Sequence, residues 1–283
     1  MPENHLSDTT FKNLEQPALT QGTLGPATVT ILGAKGLRLS GLTSFHLDEG
    51  PDFAWLNIYR TLATGRELEI TREREPAQVA IKDGGVEVRW AACDDVHGEL
   101  SAHYRLDPSA SAVDATFTAH LQSDYNKFEL FIANYFTPYY KPYYAVSDDR
   151  IHPDGLTWYE KQWYGEHENE SWVRDDESVS LFKDGRWQTG YPLNWRLGPH
   201  YAYPLMIQEH RYGHAILLMA RREDCIGLSG FNNYHNAQYL HLFGRDVAAG
   251  EQVSTTVRMV LLTDWDDLQQ EAMNRYKQWT INP

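Results

Sequence analysis

The sequence predicts an all-β protein, a large antiparallel sandwich closed by one helix at its carboxyl end. Three observations carry this reading. Apolar and polar residues alternate with a period of two across much of residues 86–121. Turn signals built from Gly, Asp and Pro recur at short intervals between such runs. Helical spacing is convincing only near the carboxyl terminus, and no repeat of about 20–50 residues marks a propeller or solenoid. With 283 residues and 42% hydrophobic content, the chain can bury a sizeable core. No linker interrupts the strand region. The expected organisation is a polar arm over residues 1–25 and one sandwich domain over 26–283, with an aromatic-rich insertion at 135–203 and a helix at 264–279.

The elements follow in order. Thr28 to Leu32 and Gly36 to Leu39 are short apolar pieces separated by Gly33. After the turn Asp83-Gly84-Gly85, Val86, Val88 and Trp90 alternate with Glu87 and Arg89. Leu100, Ala102 and Tyr104 repeat the pattern, and Val113 to Leu121 carries it furthest, as a strand buried on one face and wet on the other does. Phe128 to Phe136 is apolar at both parities and reads as a central strand covered on both faces. Leu205 to His210 and His214 to Met219 form a hairpin around Arg211-Tyr212-Gly213. Gln238 to Phe243 and Gln252 to Leu262 are expected to pair, turning at Ala248-Ala249-Gly250. Thr263 or Asp264 can cap the final helix, in which Trp265, Leu268, Ala272, Tyr276 and Trp279 recur at helical spacing.

Charge narrows the function. Lys plus Arg total 25 against 39 Asp plus Glu, a net charge of -14. Nucleic-acid duplexes and anionic membranes both call for a basic surface, and the sequence has no basic stripe. The longest aliphatic run, Ala215 to Ala220, is too short to span a bilayer. The amino terminus lacks the basic and apolar regions of a signal peptide, so the default expectation is a cytoplasmic protein. Cys93 and Cys225 lie far apart and read as two buried small hydrophobes. GxSxG, Walker A and GxGxxG motifs are absent, and no cofactor is implied.

Residues 135–203 depart from plain sandwich patterning. Tyr135 to Tyr144 hold six aromatics and two prolines, and Pro138 and Pro142 exclude a central strand there. Trp158, Trp163, Trp172, Trp187 and Trp195 follow, interleaved with Glu, Arg, Asn and His. A sugar ring offers apolar C–H faces and a rim of hydroxyls. Flat rings cover the first and polar side chains satisfy the second. Tyr139, Trp158, Trp163, Trp187 and Trp195 are therefore the candidate stacking platforms, with Arg186 to neutralise a sugar acid. The competing reading is a satellite core that pins a long loop. The proton carriers expected from local polar clustering are His235, Tyr201, His200 and Glu209. His210 and His214 can face each other across their turn but give only weak grounds for a metal, so no metal site is assigned. His241 reads as an exposed histidine on a polar strand face.

The last third of the chain carries a resemblance. Cys225-Ile226-Gly227-Leu228, then Asn232 to His235, Leu240 to Asp246, and Ala249-Gly250-Glu251 before a final strand resemble the closing strands of the galactose mutarotase-like supersandwich. Asn134-Tyr135-Phe136 sits where that group carries a His-x-Tyr-Phe-Asn-type strand. The resemblance implies this fold, with carbohydrate as the ligand class. It places the family's catalytic Glu just after the Cys-Leu pair, where this chain has Gly227, and its catalytic His within 132–134, where there is none. Aldose epimerisation is therefore not implied. The leading expectation is a lyase- or epimerase-type proton transfer on an oligosaccharide or modified sugar. A non-catalytic sugar-binding module is the second class. A subunit-interface role, with self-association into a homo-oligomer, is the third.

Overall fold

In the computed structural model, residues 15–35, 40–47, 56–147, 155–161, 169–232 and 236–281 are described. The chain forms β1 (Glu15–Leu24), β2 (Ala27–Lys35), β3 (Gly41–His46), β4 (Asn57–Ala63), β5 (Arg66–Glu69), β6 (Gln78–Lys82) and β7 (Gly85–Trp90). It continues through β8 (Gly98–Asp107), β9 (Ala112–Leu121), β10 (Tyr125–Phe136), β11 (Tyr140–Val146), β12 (Thr157–Glu160) and β13 (Glu170–Val173). Helix α1 (Asp176–Lys183) precedes β14 (Arg196–Leu197), β15 (Tyr201–His210), β16 (His214–Met219), β17 (Cys225–Asn232), β18 (Asn236–Val247), β19 (Gln252–Leu262) and helix α2 (Leu268–Ile281). A nine-stranded sheet, ordered β12-β11-β15-β16-β19-β9-β8-β7-β6, faces a seven-stranded sheet, ordered β14-β13-β17-β18-β10-β4-β5. A third sheet, β1-β2-β3, lies against β6 and β7.

Side-chain parity builds the layers. Leu100, Ala102 and Tyr104 of β8 and Val113, Ala115, Phe117 and Ala119 of β9 enter the core between the sheets. The alternate residues of β9 face outward, where Thr116 and Thr118 share hydrogen bonds with Thr256 and Ser254 of β19 at 2.9 and 2.8 Å. Strand β10 is covered on both faces. Leu130, Ile132 and Phe136 join the main core, while Phe131, Ala133 and Tyr135 join a second cluster on the sheet's outer face. The outer face of the nine-stranded sheet is covered by α2, through Ala272, Met273, Tyr276 and Trp279. Asp83 and Gly84, at φ of 48° and 75°, form the tight turn between β6 and β7. A Cβ on Gly33 would lie 2.7 Å from Val79 and 2.8 Å from Val88, so Gly33 lets β2 approach these strands and continue to Lys35; the second expected piece, Gly36 to Leu39, lies outside the described residues.

Several expectations are corrected. β18 and β19 are not a hairpin: β18 pairs with β10 and β17, whereas β19 pairs with β16 and β9. Their connection crosses between sheets and is pinned to the end of β9, with Gly250 N–H donating to Leu121 O at 2.7 Å. The final helix begins at Leu268, because Asp267 Oδ1 accepts the Gln269 and Gln270 amides at 3.0 Å. A second helix, α1, was not expected from periodicity; the Asp175 carboxylate caps it by accepting Ser178 N–H at 2.8 Å. The described parts of residues 135–203 are not wholly an excursion, since they supply β11 and β12 to one sheet and β13 and β14 to the other. β11 lies second from its sheet edge, and Pro142 falls beyond its four-residue ladder with β12. Residues 15–24 of the expected arm form β1.

Candidate functional site

The outer face of the seven-stranded sheet concentrates the chemistry. Between the register shifts near their ends, odd-numbered residues of β10, β17 and β18 point to it. Glu129, Phe131, Ala133 and Tyr135 lie beside His241, Tyr239 and Ala237, and Gly227, Ser229 and Phe231 follow on β17. β4 adds Tyr59 and Arg60. Helix α1 and the segment 184–195 fold over this face.

One half is sealed. Ser171 Oγ lies 2.6 Å from Ser229 Oγ, which lies 2.6 Å from His241 Nε2. His241 Nδ1 is 2.7 Å from Glu129 Oε1, and Arg186 donates to Glu129 Oε2 at 2.8 Å and to Asp184 at 2.8 Å. Burial lowers the His241 pKa despite Glu129, so the ring is neutral, with Nδ1–H donating to the carboxylate and Nε2 accepting the Ser229 hydroxyl. Burial works to raise the Glu129 carboxyl, but its bonds to His241 and Arg186 outweigh it and hold the group below its ordinary value. Phe131, Phe182, Trp187 and Trp195 ring the imidazole at centroid distances of 4.8, 4.6, 5.4 and 5.9 Å. Ser229 and His241 are fully buried. The serine–histidine–glutamate order is that of a nucleophile relay, but no ligand reaches it in this arrangement.

The other half reaches the surface. Arg72 lies 3.8 Å above the Tyr59 ring and donates to Tyr135 Oη at 2.7 Å. Burial pushes the Tyr135 phenol up to about 12 and the Tyr239 phenol well above its ordinary value, so both are protonated hydroxyls near neutrality. Trp195 stands edge-on to Tyr239 at 6.0 Å and is half-buried, as are Arg72, Leu193 and Phe231; Tyr191 is exposed at the rim. Arg60 is fully buried beneath, bound to Glu67 at 2.6 Å and to Tyr191 O at 2.7 Å.

The residues expected to form one site are dispersed. Trp187 and Trp195 lie on this face, Trp187 fully packed. Arg186 also lies here, but it is buried between Glu129 and Asp184 and is not free to neutralise a sugar acid. Trp158 packs on the opposite side of the molecule, with the cluster beneath α2. Tyr139 lies at a sheet end, stacked by Arg211 at 3.9 Å. Tyr201 is buried in the main core and donates to Cys225 O at 2.5 Å, and burial raises its phenol far above the ordinary value. Glu209 accepts from Tyr143 Oη at 2.9 Å on the other sheet. Eight residues of strand, roughly 25 Å, separate Tyr201 from Glu209, too far to serve one sugar ring. His200 is half-exposed, 3.4 Å from Asp176. His235 and Trp163 lie outside the described residues.

His241 is buried rather than exposed. His210 and His214 do pair directly across their turn, with rings stacked at 4.2 Å and 21°. In that geometry the ring-plane lone pairs run side by side and do not converge on one ion. Among the described residues no group of three His, Cys, Asp or Glu side chains is placed to hold a metal. Cys225 is buried as expected, and burial raises its thiol to about 12, whereas Cys93 is only half-buried, with its thiol 3.6 Å from Glu69. Tyr59, Arg72, Glu129 and Tyr239 escaped sequence reasoning. The parity of β10, apolar on both sides, was the available signal for a covered outer face.

No protein-family model matches the sequence, and no curated protein matches it. Solved structures do match in shape. A putative aldose 1-epimerase from Escherichia coli K12 aligns with a TM-score of 0.51 and 10% identity, over 88% of this chain and all of that one. The α-N-acetylgalactosaminidase NagBb of Bifidobacterium bifidum, in its GalNAc complex, aligns with a TM-score of 0.55 and 14% identity over 93% of this chain. The fold is the galactose mutarotase-like supersandwich. This chain spans 39% of NagBb and 46% of a TPR-domain protein from Parabacteroides distasonis, which aligns with a TM-score of 0.50 and 8% identity. Of the stretch 132–134 that the sequence resemblance marks for a His, only Ala133 points to the face just described, and Gly227, marked for the Glu, lies on it. Ala133 stands in the stretch for the His, and Gly227 stands for the Glu, opposite His241. A Cβ on Gly227 would meet Phe182 at 3.1 Å, so α1 occupies the space where a longer side chain would project. No helix among the described residues is long and apolar enough to cross a membrane.

Proposed function

We propose that the protein binds a carbohydrate on the outer face of its seven-stranded sheet, in the half lined by Tyr59, Arg72, Tyr135, Tyr239 and Trp195, without catalysing aldose 1-epimerisation. The observation that carries the reading is the grouping of aromatic rings with a half-buried arginine and two protonated phenols. Half-buried Trp195 offers stacking surface for a C–H face and half-buried Arg72 offers hydrogen bonds to hydroxyls, while Tyr59, Tyr135 and Tyr239 are buried and form the aromatic floor beneath them. Ala133 and Gly227 stand where the resemblance expects the acid and base of ring opening, and His241 and Glu129 of the same face are fully buried and bonded to each other. The sugar-related names of NagBb and the aldose 1-epimerase support the ligand class by fold analogy alone.

The test is titration calorimetry against neutral and uronate-containing mono- and oligosaccharides, with polarimetry of freshly dissolved aldoses. Saturable binding is expected, weakened about tenfold in Arg72→Gln and in Trp195→Ala, with mutarotation at the uncatalysed rate. Binding unchanged in both variants would remove this face from the assignment.

A lyase- or epimerase-type proton transfer at His235, with Trp163 as a further platform, is the second reading. It is favoured by the ends of β17 and β18, since Phe231 and Ala237 of this face flank the segment that holds His235. Unsaturated or epimerised product that disappears in His235→Ala, with binding retained, would establish it.

A further inference from the structure

A polar concavity lies on the other side of the molecule from the aromatic face. Beside the last turns of α2, the outer face of the nine-stranded sheet forms a cleft of about 520 Å³. Four arginines line it: Arg105 of β8, Arg258 of β19, Arg275 of α2, and Arg221. This is a dense cluster of guanidinium groups for a chain with a net charge of -14.

Their partners divide them into two pairs. Arg258 grips Asp114 with two bonds of 2.7 Å and reaches Asp107 at 3.0 Å. Arg275 binds Glu271 at 2.7 Å. Those two are structural. Among the described residues the one carboxylate that Arg105 reaches is Asp114, at 3.6 Å, and both oxygens of that carboxylate already accept from Arg258. Arg221 stacks on Trp279 at 4.2 Å and donates to Thr280 O at 3.2 Å; among the described residues no carboxylate forms an ion pair with it. Four guanidiniums therefore meet three carboxylates, and two of the four hold no carboxylate of their own. Gln278, exposed on the helix, adds an amide to the wall. The volume falls within the range of small-molecule sites, and guanidinium groups suit planar or tetrahedral oxyanions.

We propose that this cleft binds a small, polar organic anion through its carboxylate or phosphate group, with Arg105 and Arg221 as the recognition residues. This does not depend on the sugar-binding reading, which concerns the other sheet.

The experiment is calorimetry and thermal shift on the whole chain at low ionic strength, with inorganic phosphate, glucose 6-phosphate, glucuronate and glucose as probes. Saturable binding of at least one anion is expected, weakening as salt rises. Arg105→Gln and Arg221→Gln should each weaken it about tenfold, the first with an unchanged melting temperature and the second with a slightly lowered one, since Arg221 also holds Trp279 and Thr280. The Arg105 side chain is 57% exposed, so its variant is expected to fold. A response to phosphate groups, to carboxylates or to both supports the proposal and names the anion. Failure of every anion to bind up to about 10 mM, or affinity unchanged in the double variant, overturns it. Binding lost instead in Arg72→Gln belongs to the other face and likewise counts against the cleft.

Discussion

His241 shows how one residue's role depends on what covers it. It sits on a strand rich in polar residues, and in sequence it looks like a surface histidine. In the fold its ring is neutral, because burial lowers its pKa while Glu129 only partly opposes this. The consequence for stability has a definite sign. Between the ordinary value near 6.5 and the lower native value, the unfolded chain binds a proton that the native chain does not. The contribution is complete above about pH 6.5 and is lost as pH falls below it. Glu129, also held below its ordinary value, adds a second loss beginning near pH 4.5. Urea unfolding of His241→Gln should show a flatter dependence on pH between about 5 and 7, and a loss of about 1–3 kcal/mol at pH 7.5 from the incompletely paired Glu129. An unaltered slope would mean that His241 is not the titrating group. Removing Arg186 strands two carboxylates, so Arg186→Met should cost about 3 kcal/mol or more. Neither role was legible in the sequence. The partners lie 57 and 112 residues away, and no local pattern records contacts of that range. Tyr201 was misread for the same reason: its hydroxyl looked reactive, but the fold spends it on the Cys225 carbonyl.

Among the elements, strands with strict alternation were legible because one wet face forces the pattern. β7, β8 and β9 fall where their periodicity places them, while β15 and β16, with no such alternation, form the hairpin expected around Arg211-Tyr212-Gly213, β15 starting earlier, at Tyr201. Pairing was less legible. β18 and β19 are consecutive and joined by a short turn, yet each is claimed by a different sheet, because both of its edges already have longer ladders there. α1 was hidden for a different reason. Its eight residues are too few to show a helical stripe, and its main signal is the Asp175 cap with Asp176 and Glu177 in the first turn. Its weight in the structure exceeds its length, since Phe182 closes the space over Gly227 and His241. Asp175→Ala should destabilise the protein by about 1 kcal/mol. It should also speed amide exchange along β17 and β18 near Ser229 and His241 more than along β8 and β9. Uniform acceleration across both sheets would mean that α1 does not act as a local cover.

At the scale of the whole molecule, the sandwich has three apolar layers where two sheets alone make one. The main core lies between the sheets, the aromatic cluster covers one outer face, and α2 covers the other. The terminal helix was legible because Tyr276 and Trp279 recur at its spacing, but what it covers depends on topology. It lies on β15, β16 and β19 through Leu205, Ile207, Leu217, Met219, Val260 and Leu262. Such a contiguous apolar patch is rarely left exposed by a soluble monomer. α2 therefore carries more than the stability of one helix. Trp279→Ala should cost about 3 kcal/mol by urea unfolding, while the chain stays monodisperse because Ala272, Met273 and Tyr276 still cover the sheet. A chain ending before residue 264 should expose the whole patch, and light scattering should show it self-associating while far-UV dichroism keeps its strand signal. A truncated chain that remained monomeric with unchanged stability would mean that the nine-stranded sheet does not need this cover, and the three-layer account would fail.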